Sequence, residues 1–300
     1  MKIFRKTVAL LRILRYYMGI GRYDERKIAM NPEYNEKSLD TLCAALCYAM
    51  GVEAPKEAAE ANTTLTEYVD KAFGGKKADR IVMYNPDAIA QWIWEKYPQL
   101  VREVAEKTQL RLPLRSVMPS VTPVCFGTMY TGAQPAVHGI QRYEKPVITI
   151  DTIFDALLRA GRKPVILSYG KASLSKIFLE REMDYFLFDN IAQVNAKAVE
   201  LIKEDKYDFY VIYNGNYDGL MHKNGPESIN TLGELRINSH AFAMLEETIR
   251  KHWKDHRTLL GFAMDHGCHE IDDGGSHGLD MPEDLNIVHS YIAMIGENVQ

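Results

Sequence analysis

Residues 259–267 read LLGFAMDHG, and this stretch decides the fold. The mostly apolar residues 259–264 predict a buried strand, and Asp265 and His266 follow directly at its end. Open α/β sheets place functional side chains just beyond the carboxyl ends of their strands. Buried charge needs a counter-charge or a metal, and Asp and His supply the oxygen and nitrogen ligands that Zn²⁺ accepts. The stretch therefore predicts an α/β fold with a metal site at this strand end.

A second strand end has the same character. Residues 209–213, FYVIY, predict a strand, and Asp218 and His222 follow it. If the chain turns helically there, a spacing of four puts both side chains on one helix face, where they can share an ion. His277, in the loop 272–278, is a candidate third ligand, because a catalytic zinc takes three protein ligands. Taken singly, these would be ordinary solvated side chains, so the metal hypothesis depends on the whole set.

Strand-like and helical segments alternate along the rest of the chain. Short runs rich in Val, Ile, Phe and Tyr predict strands over 80–84, 146–150, 164–167, 184–188, 208–213 and 259–264, with a further strand over 287–295. Predicted helices lie between several of them, over 88–105, 152–160, 192–203 and 239–253. Such alternation is typical of an α/β fold with a mostly parallel central sheet, flanked by helices on both faces.

The first quarter of the chain is predicted to be helical. Residues 36–50 and 55–74 have helical character, and Gly74-Gly75 ends this region. We expect an N-terminal helical extension over 1–76, packed on the core, and one catalytic domain over 77–300. Residues 1–20 predict a basic amphipathic helix, which suits an anionic membrane surface or a docking site on the same domain or a partner subunit. We favour docking, and a homo-oligomer stays open.

Composition excludes several classes of function. The net charge of −4 gives no electrostatic footprint for nucleic acid, so a small-molecule partner is expected. No run of uncharged apolar residues is long enough for a transmembrane helix, and no secretory cleavage site follows the N-terminus. The four cysteines form no CxxC pair, which favours a reduced, cytoplasmic setting.

Two further candidates lie upstream of these motifs. Asp87 follows the predicted strand 80–84, and Thr122 precedes Pro123 at a predicted helix start. Each is by itself a typical helix N-cap residue. If the other candidate residues bind metal ions, Asp87 is a plausible further ligand, and the Thr122 hydroxyl can attack phosphorus once a metal lowers its pKa. A helix N-terminus beside Thr122 would favour a phosphoryl group.

Four separated motifs and their order along the chain resemble the alkaline phosphatase superfamily. Within that superfamily they are most similar to the type I phosphodiesterase/nucleotide pyrophosphatase branch. The resemblance runs from about Arg80 to the C-terminus. The first motif is the nucleophile segment, with the Thr122-Pro123 turn, Thr131-Gly132 and His138-Gly139-Ile140. The later ones are Asp218-x-x-x-His222-x-x-Gly225-Pro226, Asp265-His266-Gly267 and His277-Gly278.

The resemblance implies two metal sites and a threonine nucleophile. One metal would be held by Asp218, His222 and His277, and the other by Asp87, Thr122, Asp265 and His266. The implied enzyme is a two-metal phosphoester hydrolase of the phosphodiesterase/nucleotide pyrophosphatase type that forms a phospho-threonine intermediate. Mixed Asp and His ligands favour zinc, with Mn²⁺ as the alternative.

The sequence departs from the family at two positions. Asp87-Ala88 stands where the family has Asp-Gly, and Cys125 stands where nucleotide pyrophosphatases have an Asn that contacts phosphate. An alternative is therefore a phosphomonoesterase or phosphonate hydrolase on the same core. A metal-stabilised scaffold without turnover is a third hypothesis, but a scaffold has no use for the nucleophile Thr122.

Overall fold

The computed structural model describes residues 33–299, and residues 34–299 lie in one compact unit. Its centre is a seven-stranded sheet with the strand order β2-β9-β6-β1-β5-β3-β4. The seven strands are β1 (Arg80–Pro86), β2 (Leu110–Arg115), β3 (Pro164–Tyr169), β4 (Asp184–Phe188), β5 (Phe209–Asn214), β6 (Arg257–Phe262) and β9 (Asn286–Ile295). A two-stranded hairpin consists of β7 (His269–Ile271) and β8 (Gly274–Ser276).

The sheet is mixed but mostly parallel. The neighbours β6, β1, β5, β3 and β4 pair in parallel, whereas β9 runs antiparallel to both β6 and β2. The central strands are almost entirely buried because helices cover the sheet, as parallel sheets require. The predicted α/β class, with helices flanking a mostly parallel sheet, is therefore confirmed.

Twelve helices lie in the described part of the chain. They are α1 (Thr41–Met50), α2 (Thr63–Phe73), α3 (Gln91–Lys96), α4 (Arg102–Lys107), α5 (Thr122–Thr131), α6 (Pro135–His138), α7 (Ile153–Arg159), α8 (Leu174–Ile177), α9 (Ile191–Glu204), α10 (Asn216–Asn224), α11 (Ile229–His252) and α12 (Pro282–Leu285). None of them is long and apolar enough to cross a membrane.

The N-terminal helices α1 and α2 share the hydrophobic core of the sheet. Leu42 and Leu46 of α1 and Leu65 and Val69 of α2 are fully buried in it. A domain boundary after residue 76 stays a prediction. The predicted basic helix over 1–20 lies outside the described residues.

Two predicted elements differ from the structure in kind. Residues 146–150 belong to no strand, because the carbonyls of Ile148 and Ile150 accept from the Arg181 side chain instead of a neighbouring strand. The predicted helix 88–105 is divided into α3 and α4, since Pro98 follows the end of α3. β2 was not predicted.

Candidate metal centre

Two adjacent strands bring one group of ligand-type side chains together. Asp87 follows β1, and Asp265 and His266 follow β6, which pairs with β1. His266 Nε2 lies 3.4 Å from Asp87 Oδ1 and 3.3 Å from Asp265 Oδ2. All three side chains are buried. We call Asp87, Asp265 and His266 the strand-end group.

A second group lies on and around α10, which follows β5. Asp218 and His222 are one helical turn apart, and His222 Nε2 lies 3.2 Å from Asp218 Oδ1. His277 Nε2 lies 3.4 Å from the same oxygen and 3.0 Å from His222 Nε2. We call Asp218, His222 and His277 the helix group. The two groups are adjacent, since the ring centroids of His266 and His277 are 4.1 Å apart.

Backbone carbonyls fix the proton on each histidine. The Nδ1 atom faces a carbonyl oxygen at 3.0 Å in His222, 2.8 Å in His277 and 2.9 Å in His266. A carbonyl only accepts hydrogen bonds, so Nδ1 is the donor and, in the neutral ring, Nε2 keeps its lone pair. Metal-binding histidines are oriented by the same arrangement.

Each group leaves buried acceptors without a donor. Asp87 Oδ1, Asp265 Oδ2 and Asp218 Oδ1 are buried and have no hydrogen-bond partner. These oxygens lie 3.2–3.4 Å from the Nε2 atoms of the neighbouring histidines, whose lone pairs point at them. Acceptors that face one another repel, and a buried unpaired polar group is costly. A proton or a cation is therefore required within each group.

Thr122 lies beside the strand-end group. Its hydroxyl oxygen is 3.4 Å from Asp87 Oδ2 and 3.4 Å from His266 Nε2. Thr122 is the first residue of α5, whose N-cap is Val121, and Pro123 follows it. The N-cap interpretation of Thr122 is therefore wrong, and its buried side chain faces the aspartate and histidine instead.

The backbone around Asp87 preserves the conformation that a glycine would adopt. Ala88 has a φ of +61°, in the left-handed region that favours glycine over residues with a Cβ. Its N–H donates to Asp265 Oδ1 at 3.2 Å. The N-cap of α3 is Ala90, so the interpretation of Asp87 as a cap is also wrong. The predicted Asp87-Ala88 segment therefore forms a turn of the kind that glycine commonly occupies.

The hairpin β7–β8 brings His277 to the helix group. A Cβ on Gly274 would lie 2.3 Å from the carbonyl oxygen of His222, and one on Gly275 would lie 2.4 Å from Met221 Sδ. Such approaches are impossible for a residue with a side chain, so the two glycines allow the hairpin to contact α10 closely. His277 follows directly after β8 and therefore reaches Asp218.

Burial shifts the pKa values of the strand-end group. Burial, with a smaller contribution from the Asp218 charge, raises the pKa of Asp87 to about 7. Burial also raises the pKa of Asp265 well above its usual range, and the charge of Asp87 adds to the effect. The pKa of His266 falls to about 3, because burial disfavours the imidazolium and the charge of His277 repels it. The group therefore resists negative charge unless a cation is present.

The helix group shows the opposite behaviour. Burial by itself would raise the pKa of Asp218, but the adjacent imidazoles of His222 and His277 outweigh burial and hold it below its usual range. The carboxylate of Asp218 in turn raises the pKa of His222 above its usual value. Burial lowers the pKa of His277, yet contact with Asp218 outweighs it and the net shift is upward. In this group, Asp218 attracts positive charge.

Sequence reasoning missed a tyrosine that contacts the strand-end group. Tyr213, the fifth residue of β5, donates a short hydrogen bond from its hydroxyl to Asp87 Oδ2. The only sequence signal is its place near the carboxyl end of a predicted strand, five residues before Asp218. Cys125, noted for its departure from the family, is buried and has a pKa raised well above its usual value by that burial. Its thiol is therefore no nucleophile.

A cavity of about 500 Å³ adjoins the helix group. It lies between the carboxyl ends of β3 and β5 and the first turns of α9 and α10. Tyr169 and Gly219 are among its lining residues, and Gly219 is the neighbour of Asp218 in sequence. The lining residues include no Lys or Arg; they are Tyr169, Asp189, Asn190, Ile191, Gly215, Asn216, Gly219 and Leu220.

This fold occurs in structures of phosphoesterases. The chain is similar to murine ectonucleotide pyrophosphatase/phosphodiesterase 5, solved as an inactive variant in complex with AMP, with a TM-score of 0.53 and 16% identity. This alignment covers 65% of the chain and 58% of the murine protein. The human ectonucleotide pyrophosphatase/phosphodiesterase 5 gives a TM-score of 0.51 at 16% identity, over 64% of this chain and 58% of that one.

These comparisons show that the chain shares its fold with two ectonucleotide pyrophosphatase/phosphodiesterase structures, in agreement with the predicted resemblance. The chain matches less than two thirds of the length of either structure. No protein-family model matches the sequence, and a search of curated proteins found no similar one. The structure brings the seven predicted site residues together, and their roles as ligands and nucleophile stay predictions.

Proposed function

We propose that the protein is a two-metal phosphoester hydrolase of the phosphodiesterase type, with Thr122 as its nucleophile. The observation that carries the proposal is the convergence of unpaired acceptors in two adjacent groups, with the Thr122 hydroxyl beside one of them. The strand-end group would hold one divalent ion together with Thr122, and the helix group would hold the other.

The separations between ligand atoms support zinc. Neighbouring ligands of a tetrahedral ion with bonds of about 2.0–2.1 Å are about 3.3 Å apart. In the helix group the three separations are 3.0, 3.2 and 3.4 Å. In the strand-end group His266 Nε2 is 3.3 and 3.4 Å from its two carboxylate partners. The three protein ligands of the helix group leave a fourth position open, as catalytic zinc sites do, and Thr122 would be the fourth ligand in the strand-end group. Mn²⁺ stays the alternative.

Thr122 would attack the phosphorus of the substrate. Its oxygen forms a bond to phosphorus, the leaving group departs with the electron pair of its P–O bond, and the hydroxyl proton ends on the leaving-group oxygen. Water then cleaves the phospho-Thr122 ester and regenerates the hydroxyl. Bound divalent ions would supply charge that lowers the pKa of the hydroxyl and stabilises the phosphoryl oxygens. The first turn of α5 would add the positive end of a helix dipole.

The cavity beside the helix group is the place we propose for the leaving group. It offers the ring of Tyr169 and the polar side chains of Asp189 and Asn190, and its lining includes no cationic side chain. The murine relative was solved with AMP bound, which supports a phosphate ester as the class of substrate. A cytoplasmic setting is also proposed, since all four cysteines are unpaired thiols.

The decisive experiment measures turnover of aryl phosphate esters by protein of known metal content. Thr122→Ala should lose nearly all turnover and keep its metal, because only the attacking oxygen is removed, while Thr122→Ser should keep part of the activity. Normal turnover by Thr122→Ala would show that Thr122 is not the nucleophile. Full turnover after complete removal of metal would contradict the two-metal proposal, and a metal-loaded protein without turnover on any ester would favour the scaffold hypothesis.

A further inference from the structure

We infer that Tyr213 is a positioning residue that fixes Asp87 for metal binding. The inference rests on the proposed function, because it takes Asp87 as a ligand. Tyr213 lies on β5 opposite Asn85 of β1. Asp87 follows the last residue of β1, and its carboxylate accepts from the Tyr213 hydroxyl. The Tyr213 ring therefore stands beside the Asp87 carboxylate.

The two carboxylate oxygens of Asp87 have different surroundings. Oδ2 accepts from the Tyr213 hydroxyl and lies 3.4 Å from the Thr122 hydroxyl. Oδ1 is buried without a donor and lies 3.4 Å from His266 Nε2. A carboxylate rotates freely about its last bond unless hydrogen bonds hold it. The Tyr213 bond holds Oδ2, so Oδ1 is turned toward the ligand atoms of the strand-end group.

The Tyr213 ring is itself held on several sides. Phe126, on the helix that begins at Thr122, meets the ring edge to face with a centroid separation of 5.7 Å. Tyr169 packs against it with a centroid separation of 5.8 Å. A Cβ on Gly215 would lie 2.6 Å from the Tyr213 hydroxyl oxygen, so a glycine there makes room for that hydroxyl. The hydroxyl position is therefore determined by packing rather than by Asp87 alone.

Fixing Asp87 matters because the adjoining backbone is strained. Ala88 adopts a φ of +61°, a conformation that costs a residue with a Cβ free energy. The Asp87 N–H donates to the carbonyl of Asn214 at 2.9 Å, which holds the backbone. The side chain depends on Tyr213. Partners of this kind commonly change metal affinity by about 10–100-fold when they are removed.

The test measures the affinity of the strand-end group for Zn²⁺. It uses the full chain carrying His222→Ala and His277→Ala, which leaves only that group, with calorimetric titration against a competing chelator. Tyr213→Phe should lower the affinity about 10–100-fold, because only the donor to Asp87 is lost. Tyr210→Phe is the matched control. It lies on the same strand, is fully buried and donates its hydroxyl to the carbonyl of Leu201, away from the site.

A double-mutant cycle separates positioning from a general loss of structure. In an Asp87→Ala background, Tyr213→Phe should cause no further loss of affinity, because the group it orients is gone. An unchanged affinity of Tyr213→Phe, or an equal loss with and without Asp87, would overturn the inference while the proposed function stands. If the parent chain binds neither Zn²⁺ nor Mn²⁺, the proposed function fails, and this inference fails with it.

Discussion

Gly267, the residue after His266, offers a sharp test of how tightly the strand-end group is packed. A Cβ at this position would lie 2.1 Å from the carbonyl oxygen of Glu283 and 3.0 Å from the Cβ of Ala90. The two obstacles belong to different segments, and the hydrogen bond from the Gly267 N–H to the carbonyl of Asp284, at 2.8 Å, holds one of them close. Gly267→Ala therefore cannot be accommodated by a change of rotamer.

The size of the effect follows from the displacement required. Real Cβ atoms do not approach other heavy atoms closer than 3.0 Å, so the backbone must move by about 0.9 Å. Overpacking of this kind typically costs about 1–3 kcal/mol, which lowers Tm by roughly 2–10 °C in a chain of this size. Because His266 directly precedes Gly267, a shift of nearly 1 Å at the site should also lower turnover by about 100-fold.

The matched control is Gly219→Ala. Gly219 is the neighbour of Asp218, as Gly267 is of His266, but a Cβ there meets nothing within 4 Å. It lies inside α10, so alanine should raise stability by about 1 kcal/mol. Thermal unfolding and Zn²⁺ titration of both variants provide the measurement, and they do not depend on a known substrate. A Tm and Zn²⁺ affinity for Gly267→Ala equal to those of the parent would refute this account of the packing.

Two further predictions concern the ions and the substrate. Complete chelation should lower Tm by about 5–10 °C, since one ion present at a hundredfold excess over its Kd stabilises the folded state by about 2.7 kcal/mol. An identical Tm with and without chelator would contradict ion binding by the folded protein. Diesters should be hydrolysed faster than matched monoesters. A monoester carries one more negative charge and needs a further cation, but Arg142 forms an ion pair with Glu144 and the cavity lining includes no Lys or Arg. The measurement is kcat/KM for a matched aryl pair, and a tenfold preference for the monoester, about 1.4 kcal/mol, would contradict this prediction.

The positions of the predicted ligands could be expected from the sequence because strand ends are a local signal. β1 and β6 each end shortly before an aspartate, but their pairing joins strands far apart in the sequence, and the α/β pattern does not predict which strands are neighbours. His277 was harder to predict, since it depends on a glycine hairpin that contacts α10. The sequence indicates His277 only because Asp218 and His222 require a third ligand.

The missed features depend on long-range contacts. β2 contains Pro113, which normally argues against a strand, but β2 lies at the edge of the sheet and pairs only with β9, so a missing N–H is tolerated. The role of Tyr213 depends on the register between β1 and β5. A single sequence does not reveal that register, and a buried tyrosine in a strand is otherwise an ordinary core residue.

The carbonyl partners of the three histidines have a consequence for how the site tolerates mutation. Ser120, Gly275 and Gly267 hold His277, His222 and His266 through main-chain oxygens. A substitution at Ser120 changes a side chain and retains the carbonyl, so the histidine tautomer should persist through sequence drift there. Asp87 depends on a side chain instead, because its short hydrogen bond comes from the Tyr213 hydroxyl and is lost with any substitution that removes that hydroxyl. Gly275 and Gly267 are restricted for a separate reason, since a Cβ at either would meet a neighbouring segment. Divergent homologues should therefore vary more at Ser120 than at Tyr213.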